Sequence, residues 1–398
     1  MKKIAILLMT LIILLAAACA AESETQDEAA LLKEEYEQSV AFKTAQTLCN
    51  VGIDKVSKNG CQNVIKYNST AWNIVTKFDS HWFPDTLRSE FVSMTSDNWV
   101  KTSETTFECD VFVTQRVTFK RRTQVTNYPF ASHMCFEQTD KRKDTWLLTD
   151  FYSLPVEAEV ERAKRFTEEN EGLTMYTVEG KSFRGYMLVI DDPSRVFVGT
   201  IDQFSSTVGG MFLDKLVAKY DALGGINGGG FEDDKSKSGG VPLGYMVSEG
   251  KYLSRNLQRQ GWVVMGFTPD DVLHVGVYSN DELEQMNMRD ALSFYPALII
   301  NGEKTRITQE LRYSARTAIG QDADGRVLML VVQGRQPDSF GASFENLQDV
   351  MLAFGAVNAG NLDGGHSSAM WLADECVYSG YPIEVSRNMP GAFLIKKP

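Results

Sequence analysis

For a chain of 398 residues, histidine, proline and cysteine are scarce, at 4, 11 and 6. The histidines stand at 81, 133, 274 and 366, a spacing through which no zinc signature can be written. The first three read as structural, and no metal-ligand set is assigned. Two other motifs are also missing. No Gly-Lys-Ser/Thr closes a glycine-rich stretch, which excludes a nucleotide P-loop, and no Gly-x-Ser-x-Gly elbow presents a serine nucleophile. Basic charge is in deficit, with a net charge of -12. Nucleic acid is therefore excluded as the principal ligand, and the short runs Lys120 to Arg122 and Lys141 to Lys143 are solvated faces. Beyond residue 18 no apolar run approaches the roughly 20 residues needed to span a bilayer.

What is present begins with a leader. Lys2 and Lys3 precede an apolar run from Ile4 to Ala18, then small residues and a polar, acidic stretch from Glu22. This pattern is an export signal over residues 1–21, to be left out of the fold. Cleavage after Ala18-Cys19-Ala20 gives a secreted or periplasmic protein. Lipoprotein processing at Ala16-Ala17-Ala18-Cys19 instead gives a protein anchored to the envelope through lipidated Cys19. In an exported chain the cysteines at 49, 61, 109 and 135 are expected to form two disulfides. Sequence-local pairing joins Cys49 with Cys61 and Cys109 with Cys135, which leaves Cys376 odd.

The remainder divides by character. Residues 30–153 place helical patterns, Leu31 to Val56 and Trp72 to Phe78, ahead of β-branched and aromatic runs, FECDVFVTQRVTFKR and DTWLLTDFYSL. Helices followed by a curved antiparallel sheet imply a small α+β accessory domain, whose order loosely resembles the cone-shaped domains similar to nuclear transport factor. Pro155 opens a charged stretch ending at Gly172, a linker helix over 154–172. From 173 to 398 strands alternate with helices around many glycines, so the expected class is α+β or mixed α/β, with a mixed sheet and flanking helices. VFVGT, MFLDKLVAKY and ALGGI (196–226) form one strand-helix-strand unit. RVLMLVVQG, FENLQDVMLAF and AVNAGNL (326–362) form another, with Ser343 as N-cap and Gly355 as stop. If the strands of a unit pair in parallel, Arg335 is brought to the edge that carries Asp363. A shift of 134 positions lays Asn227 on Asn361, which suggests that both face one cleft.

The densest chemistry lies in NLDGGHSS, Asn361 to Ser368, directly after an apolar strand. It sets Asn361, Asp363, Gly364, Gly365, His366 and Ser367 at a strand end, where glycines let ligand atoms approach the backbone. GGINGGGFEDD (224–234) offers Asn227 and an anion cradle from Gly228, Gly229 and Gly230. A tight turn explains that loop equally well, and Glu232, Asp233 and Asp234 read as its solvated tail. RTAIGQDADGR (316–326) reads as a hairpin turning at Asp324-Gly325, with Arg316 at a strand start, where an arginine either holds a phosphate or carboxylate or, taken alone, forms a surface ion pair.

These three motifs together, GGINGGGF, YSARTAIGQDADGRVLMLVVQGRQP and FGAVNAGNLDGGHSS, resemble the phosphodiester glycosidase family, whose bacterial relatives are often described as exopolysaccharide-related. The likeness runs over roughly residues 175 to 397. It implies a catalytic domain that cleaves the glycosidic bond of sugar-1-phosphodiesters, with cell-envelope glycans as substrates and no required cofactor. Asn227 with its glycines, Arg316, Arg335, Asn361 and Asp363 match the positions expected to line the cleft. Two departures stand out: His366 replaces a residue that is commonly small, and Glu232 follows Phe231 where a second aromatic is frequent.

The leaving group of such a diester is a weakly basic phosphate, so the usual demand for a strong general acid is relaxed. Asp363 would activate water or stabilise the oxocarbenium ion, with His366 assisting proton transfer. Arg316 and Arg335 would hold the phosphate. Asp and Asn side chains with loop carbonyls could also bind calcium, although no ligand set demands it. Two alternatives remain open: a polysaccharide-binding or exopolysaccharide assembly protein without turnover, and a phosphodiesterase that breaks P-O.

Overall fold

The computed structural model describes residues 29–35, 63–76, 86–119, 125–142, 145–233, 239–256, 262–308, 313–334, 339–379 and 387–398. The expected leader, Cys19, Cys49, Cys61 and Arg335 lie outside these residues. The chain divides into two compact units: Met1–Thr76 with Asp85–Phe151, and Lys77–Pro84 with Tyr152–Pro398. Among the described residues no helix is long and apolar enough to cross a membrane.

The first unit is a four-stranded antiparallel sheet in simple order, β1 (Thr86–Ser103), β2 (Thr106–Phe119), β3 (Val125–Asp140) and β4 (Thr145–Ser153). Two helices accompany it, α1 over residues 29–35 and α2 (Thr70–Thr76). Ser69 opens α2, its hydroxyl accepting from the Trp72 N-H. Strict alternation sends Phe107, Cys109, Val111 and Val113 of β2 to the core, with Met134 and Phe136 of β3. The Phe107 and Phe136 rings stack 5.1 Å apart. Register shifts along β1, such as the one between Asp97 and Val100, bend the strand.

This alternation overturns one expected disulfide. Cys109 pairs in register with Met134, while Cys135 lies opposite Glu108. Cys109 and Cys135 thus stand on opposite faces of the sheet, with their Cβ vectors diverging, and cannot be bridged. Cys109 is a buried thiol whose pKa is pushed up by desolvation.

The second unit stacks three sheets. The charged stretch forms α3 (Glu157–Glu169), which is docked rather than free: Ala163 and Phe166 are buried, and Arg165 bonds both Glu375 oxygens at 2.7 and 2.8 Å. The largest sheet runs β15 (Glu303–Lys304), β14 (Ala297–Ile300), β18 (Ala356–Asn361), β16 (Arg316–Asp322), β17 (Val327–Val332), β6 (Arg184–Ile190), β5 (Leu173–Glu179). The second runs β20 (Glu375–Ser379), β19 (Ala369–Leu372), β8 (Gly224–Asn227), β21 (Gly391–Ile395), β7 (Val196–Thr200). The third is β10 (Lys251–Asn256), β9 (Gly244–Ser248), β13 (Asp290–Phe294), β11 (Val263–Phe267), β12 (Leu273–Gly276). Three short helices, α4 (Leu213–Lys219), α5 (Asn280–Met286) and α6 (Phe344–Ala353), complete the unit. Ser343 caps α6 in a reciprocal box with Asn346, and Gly355 leaves it at φ +82.

Both strand-helix-strand units exist, in a split form. β16 lies between β17 and β18 and is antiparallel to each, so β17 and β18 run parallel without touching. Likewise β21 separates β7 from β8. The expected direct parallel pairing is replaced by an inserted strand, β21 from the far end of the chain in one unit and β16 from just before β17 in the other, yet the strand ends still emerge on one side. An apolar cluster packs between the sheets, around Tyr186, Met265, Phe267 and Phe393.

Candidate active site

Three strand ends meet at Asp363. β8 delivers Asn227 and Gly228, the start of β16 delivers Ala315 to Thr317, and β18 runs out through Leu362 into Asp363 and the 3-10 turn Gly365–Ser367. Backbone bonds stitch these segments together. Leu362 N donates to Thr317 O at 2.8 Å, Asp363 N to Gly228 O at 3.2 Å, and Gly365 N to Ala315 O at 2.8 Å.

Asn227 is the hub. It is 1% exposed. Its Nδ2 donates to Asp363 O at 2.8 Å, while Oδ1 accepts from Thr317 Oγ1 at 2.7 Å and Ala369 N at 3.0 Å. With its amide committed to protein on every side, Asn227 positions Asp363 from behind. Asn361 is also fully buried and donates Nδ2 to Tyr295 O at 2.7 Å. Its Oδ1 has no hydrogen-bond partner, nor does Ser368 Oγ nearby in sequence. Such orphaned polar atoms carry a desolvation cost.

Asp363 itself is half-buried. Its Oδ1 accepts from Gly364 N at 3.0 Å, and the Ser367 hydroxyl donates to the carboxylate. Desolvation by the surrounding protein pushes its pKa from 3.8 up to about 6. The Ser367 bond, the Arg387 charge and the Gly364 N-H oppose this rise, and the Asp233 charge adds to it. A carboxyl poised near neutrality can both take and give a proton.

The cations stand around it. Arg316 crosses the Phe344 ring with Cζ 4.2 Å from the centroid, and its Nε donates to Ala342 O at 3.2 Å. A Cβ placed on Gly364 would sit 3.6 Å from Arg316 Nη1, which sets the guanidinium beside the residue that follows Asp363. Arg387 lies over the Phe231 ring at 5.1 Å and donates Nη2 to Asp233 Oδ1 at 2.6 Å. Arg387 is thus ion-paired with Asp233 and is felt electrostatically by Asp363.

Sequence reading missed Arg387 and its pairing with Asp233. Nothing in local spacing marks Arg387. It arrives because β21 pairs antiparallel with β8, Ala392 opposite Asn227, which sets the residues before β21 beside those after β8. Asp233, read as part of a solvated tail, is Arg387's partner and is felt electrostatically by Asp363. The glycines after Asn227 also differ from expectation. None of Gly228, Gly229 and Gly230 has positive φ, so they do not alternate as an anion nest does. A Cβ at Gly228 would meet Gly391 O at 2.3 Å, and one at Gly229 would meet Ser293 O at 2.2 Å. Close backbone approach is what demands glycine here. His366 sits half-buried in the turn that follows Asp363. Arg335 is outside the described residues, but Gly334 before it abuts Ala315, within the same strand-end cluster.

Residues 220–396 match the sequence model of the family described as phosphodiester glycosidase. No curated protein matches the chain. Among solved structures it is similar to the zebrafish N-acetylglucosamine-1-phosphodiester alpha-N-acetylglucosaminidase catalytic domain auto-inhibited by its pro-peptide. That match has 21% identity and a TM-score of 0.47, covering 57% of this chain and 83% of that one. It is similar to a hypothetical protein from Synechocystis, at 11% identity and TM-score 0.40, covering 77% of this chain and 81% of that one. It is also similar to a putative exported protein from Burkholderia pseudomallei, at 14% identity and TM-score 0.42, covering 80% of this chain and 99% of that one.

Proposed function

From the premise that residues 220–396 carry a phosphodiester glycosidase domain, we propose that this chain is an exported hydrolase that cleaves the glycosidic bond of sugar-1-phosphodiesters, at Asp363. The observation that supports it most is one carboxyl, held near neutrality by burial, with the guanidinium of Arg316 beside the next residue and Arg387 close enough to lower its pKa. Asp363, ionised, takes a proton from water as that water's oxygen bonds the anomeric carbon. The anomeric C-O bond breaks, its electron pair leaves with the phosphate, and the products are a free sugar and a phosphate monoester. Because that phosphate is already weakly basic, guanidinium groups on its oxygens suffice where an ordinary glycosidase needs a strong acid.

Asn227 and Asn361 position the strand ends, Arg316 with Arg335 and Arg387 receives the phosphate, and His366 with Ser367 borders the sugar. His366 narrows the cleft relative to a glycine, so substrate choice differs from relatives with a small residue there. The leader over residues 1–21 puts the reaction at the cell envelope or outside it, on envelope or capsule glycans. The first unit serves as a cone-like accessory domain.

The test is product analysis with N-acetylglucosamine-1-phospho-sugar diesters in oxygen-18 water, for wild type and Asp363→Asn. Label in the sugar, from wild type alone, supports the reading. Label in the phosphate makes the enzyme a P-O phosphodiesterase, and sugar-phosphate binding without any product makes it a binding protein.

A further inference from the structure

The outer face of the first sheet carries a cluster that the glycosidase reading leaves unused. Glu108 and Cys135 are register partners across β2 and β3, and Asp110 and His133 are the next pair on the same face. Alternation fixes this, because Cys109 and Met134 between them are turned into the core. The His133 Nδ1 lies 2.7 Å from Asp110 Oδ1, and Asp110 is in turn held by Asn98, whose Nδ2 donates to Oδ2 at 2.6 Å. The other ring nitrogen, Nε2, lies 3.6 Å from Glu108 Oε2, and Cys135 Sγ lies 3.8 Å from the same oxygen. One donor atom from each of Glu108, His133 and Cys135 falls within 4.8 Å of the others.

We propose that Glu108, His133 and Cys135 form a zinc-class metal site, with Asp110 as the carboxylate that orients His133. Tetrahedral coordination with bonds of about 2.0 to 2.3 Å puts ligand atoms roughly 3.3 to 3.8 Å apart, and two of the three separations already have that length. An imidazole whose far nitrogen is tied to a carboxylate is the usual support of a metal-bound histidine, because it fixes tautomer and ring orientation. A thiolate, an imidazole and a carboxylate together suit a borderline cation better than calcium or magnesium, which take oxygen alone. Three protein ligands leave the fourth position to water. Glu108, 34% exposed at its side chain, opens that position to solvent. No sequence motif announces the site, because its ligands come from two strands joined across the sheet and not from one fixed spacing. It is independent of the chemistry at Asp363.

The same four side chains without an ion would be histidine-carboxylate pairs, which need no thiol, so Cys135 separates the two cases. The full chain is freed of metal, titrated with Zn2+ by calorimetry, then with Co2+ followed by absorption. One ion per chain is expected, with the visible bands of four-coordinate cobalt and a thiolate-to-cobalt charge-transfer band. Cys135→Ser should abolish the charge-transfer band, while Cys376→Ser should leave it. Asp110→Asn should weaken Zn2+ binding about 10- to 100-fold, and His133→Gln more than that, since it removes a ligand and not its support. Circular dichroism of each metal-free variant separates lost ligands from lost fold. Absence of stoichiometric binding by the folded wild type, or a cobalt spectrum unchanged in folded Cys135→Ser, would overturn the proposal.

Discussion

Two regions of the second unit share one plan and use it differently. In the first, β7, α4 and β8 end at Asn227, with β21 inserted between the strands and the β19-β20 hairpin beyond β8. In the second, β17, α6 and β18 end at Asn361, with β16 inserted and the β14-β15 hairpin beyond β18. The orders coincide strand for strand, and each region ends in a buried asparagine. Asn227, however, satisfies three groups from three segments, whereas Asn361 satisfies one and leaves its carbonyl oxygen unpartnered. The first region therefore clamps the strand ends, and the second carries an orphaned oxygen two residues before a desolvated carboxyl, a cost that the proposed function assigns to a reactive end. A protein tolerates such a cost where the residues serve something other than stability.

The sharpest way to test this division is at Asp363. Asp363→Asn keeps shape and removes the titrating group, so hydrolysis of a sugar-1-phosphodiester should fall roughly 10²- to 10⁴-fold in kcat. Wild-type turnover in the variant would make NLDGGHSS a polar turn with no part in the chemistry. Next in size is the contrast between the asparagines. Asn227→Ala strands a buried Ala369 N-H and the Asp363 carbonyl, and should cost about 2 to 4 kcal/mol of stability. Asn361→Ala strands one carbonyl and removes an oxygen that was already unpaired, so about 1 kcal/mol is expected. Equal losses in calorimetric unfolding would erase the distinction between clamp and reactive end.

Much of this arrangement was legible in the sequence because it is local. Ser343 and Gly355 announce both ends of α6, Asp324-Gly325 closes the β16-β17 hairpin, and the shift that aligned Asn227 with Asn361 marks two equivalent strand ends. What could not be read is what distant chain segments supply. β21, inserted into the first split unit, comes from the far end of the chain, so no periodicity within that unit predicts it; the hairpin of β16 with β17 is local, but its second pairing, with β18, is not. Arg387 and the pairing of Asp233 follow from β21 alone. The glycines after Asn227 were legible as a requirement but not as its cause, since close backbone approach and an anion nest select the same residue. Cys109 and Cys135 failed as a pair for a similar reason: sequence proximity across a hairpin says nothing of which face each side chain takes.

Stability against pH sharpens the comparison further. The folded-state pKa of Asp363 is raised from 3.8 to about 6, so the native state holds the proton more tightly than the unfolded chain. The associated stability is fully present below pH about 4 and lost as pH rises through 6, because between those values the folded chain binds more protons than the unfolded one. Asp363→Asn has no such pH dependence. Above pH 6 it should be more stable than wild type by roughly 2 to 3 kcal/mol, at about 1.4 kcal/mol for each pH unit separating the two pKa values, and the gap should close toward pH 4. A variant less stable than wild type at pH 7 would mean that the carboxylate's bonds to Gly364 and Ser367 outweigh its burial.

The smallest effect isolates what the chain's far end contributes. Arg387 favours the ionised form of Asp363 and neutralises Asp233, whose charge disfavours it. Arg387→Gln removes the first influence and unmasks the second, so both changes push the Asp363 pKa the same way, upward. If Asp363 acts as the base, kcat/KM rises with pH through its pKa, and the acid limb in the variant should move to higher pH by up to about one unit. The plateau above it should change less than the limb unless Arg387 also holds the phosphate, in which case KM rises as well. A limb that stays in place would detach Arg387 from the titration and leave the first region's strand ends a clamp with no electrostatic reach into the second.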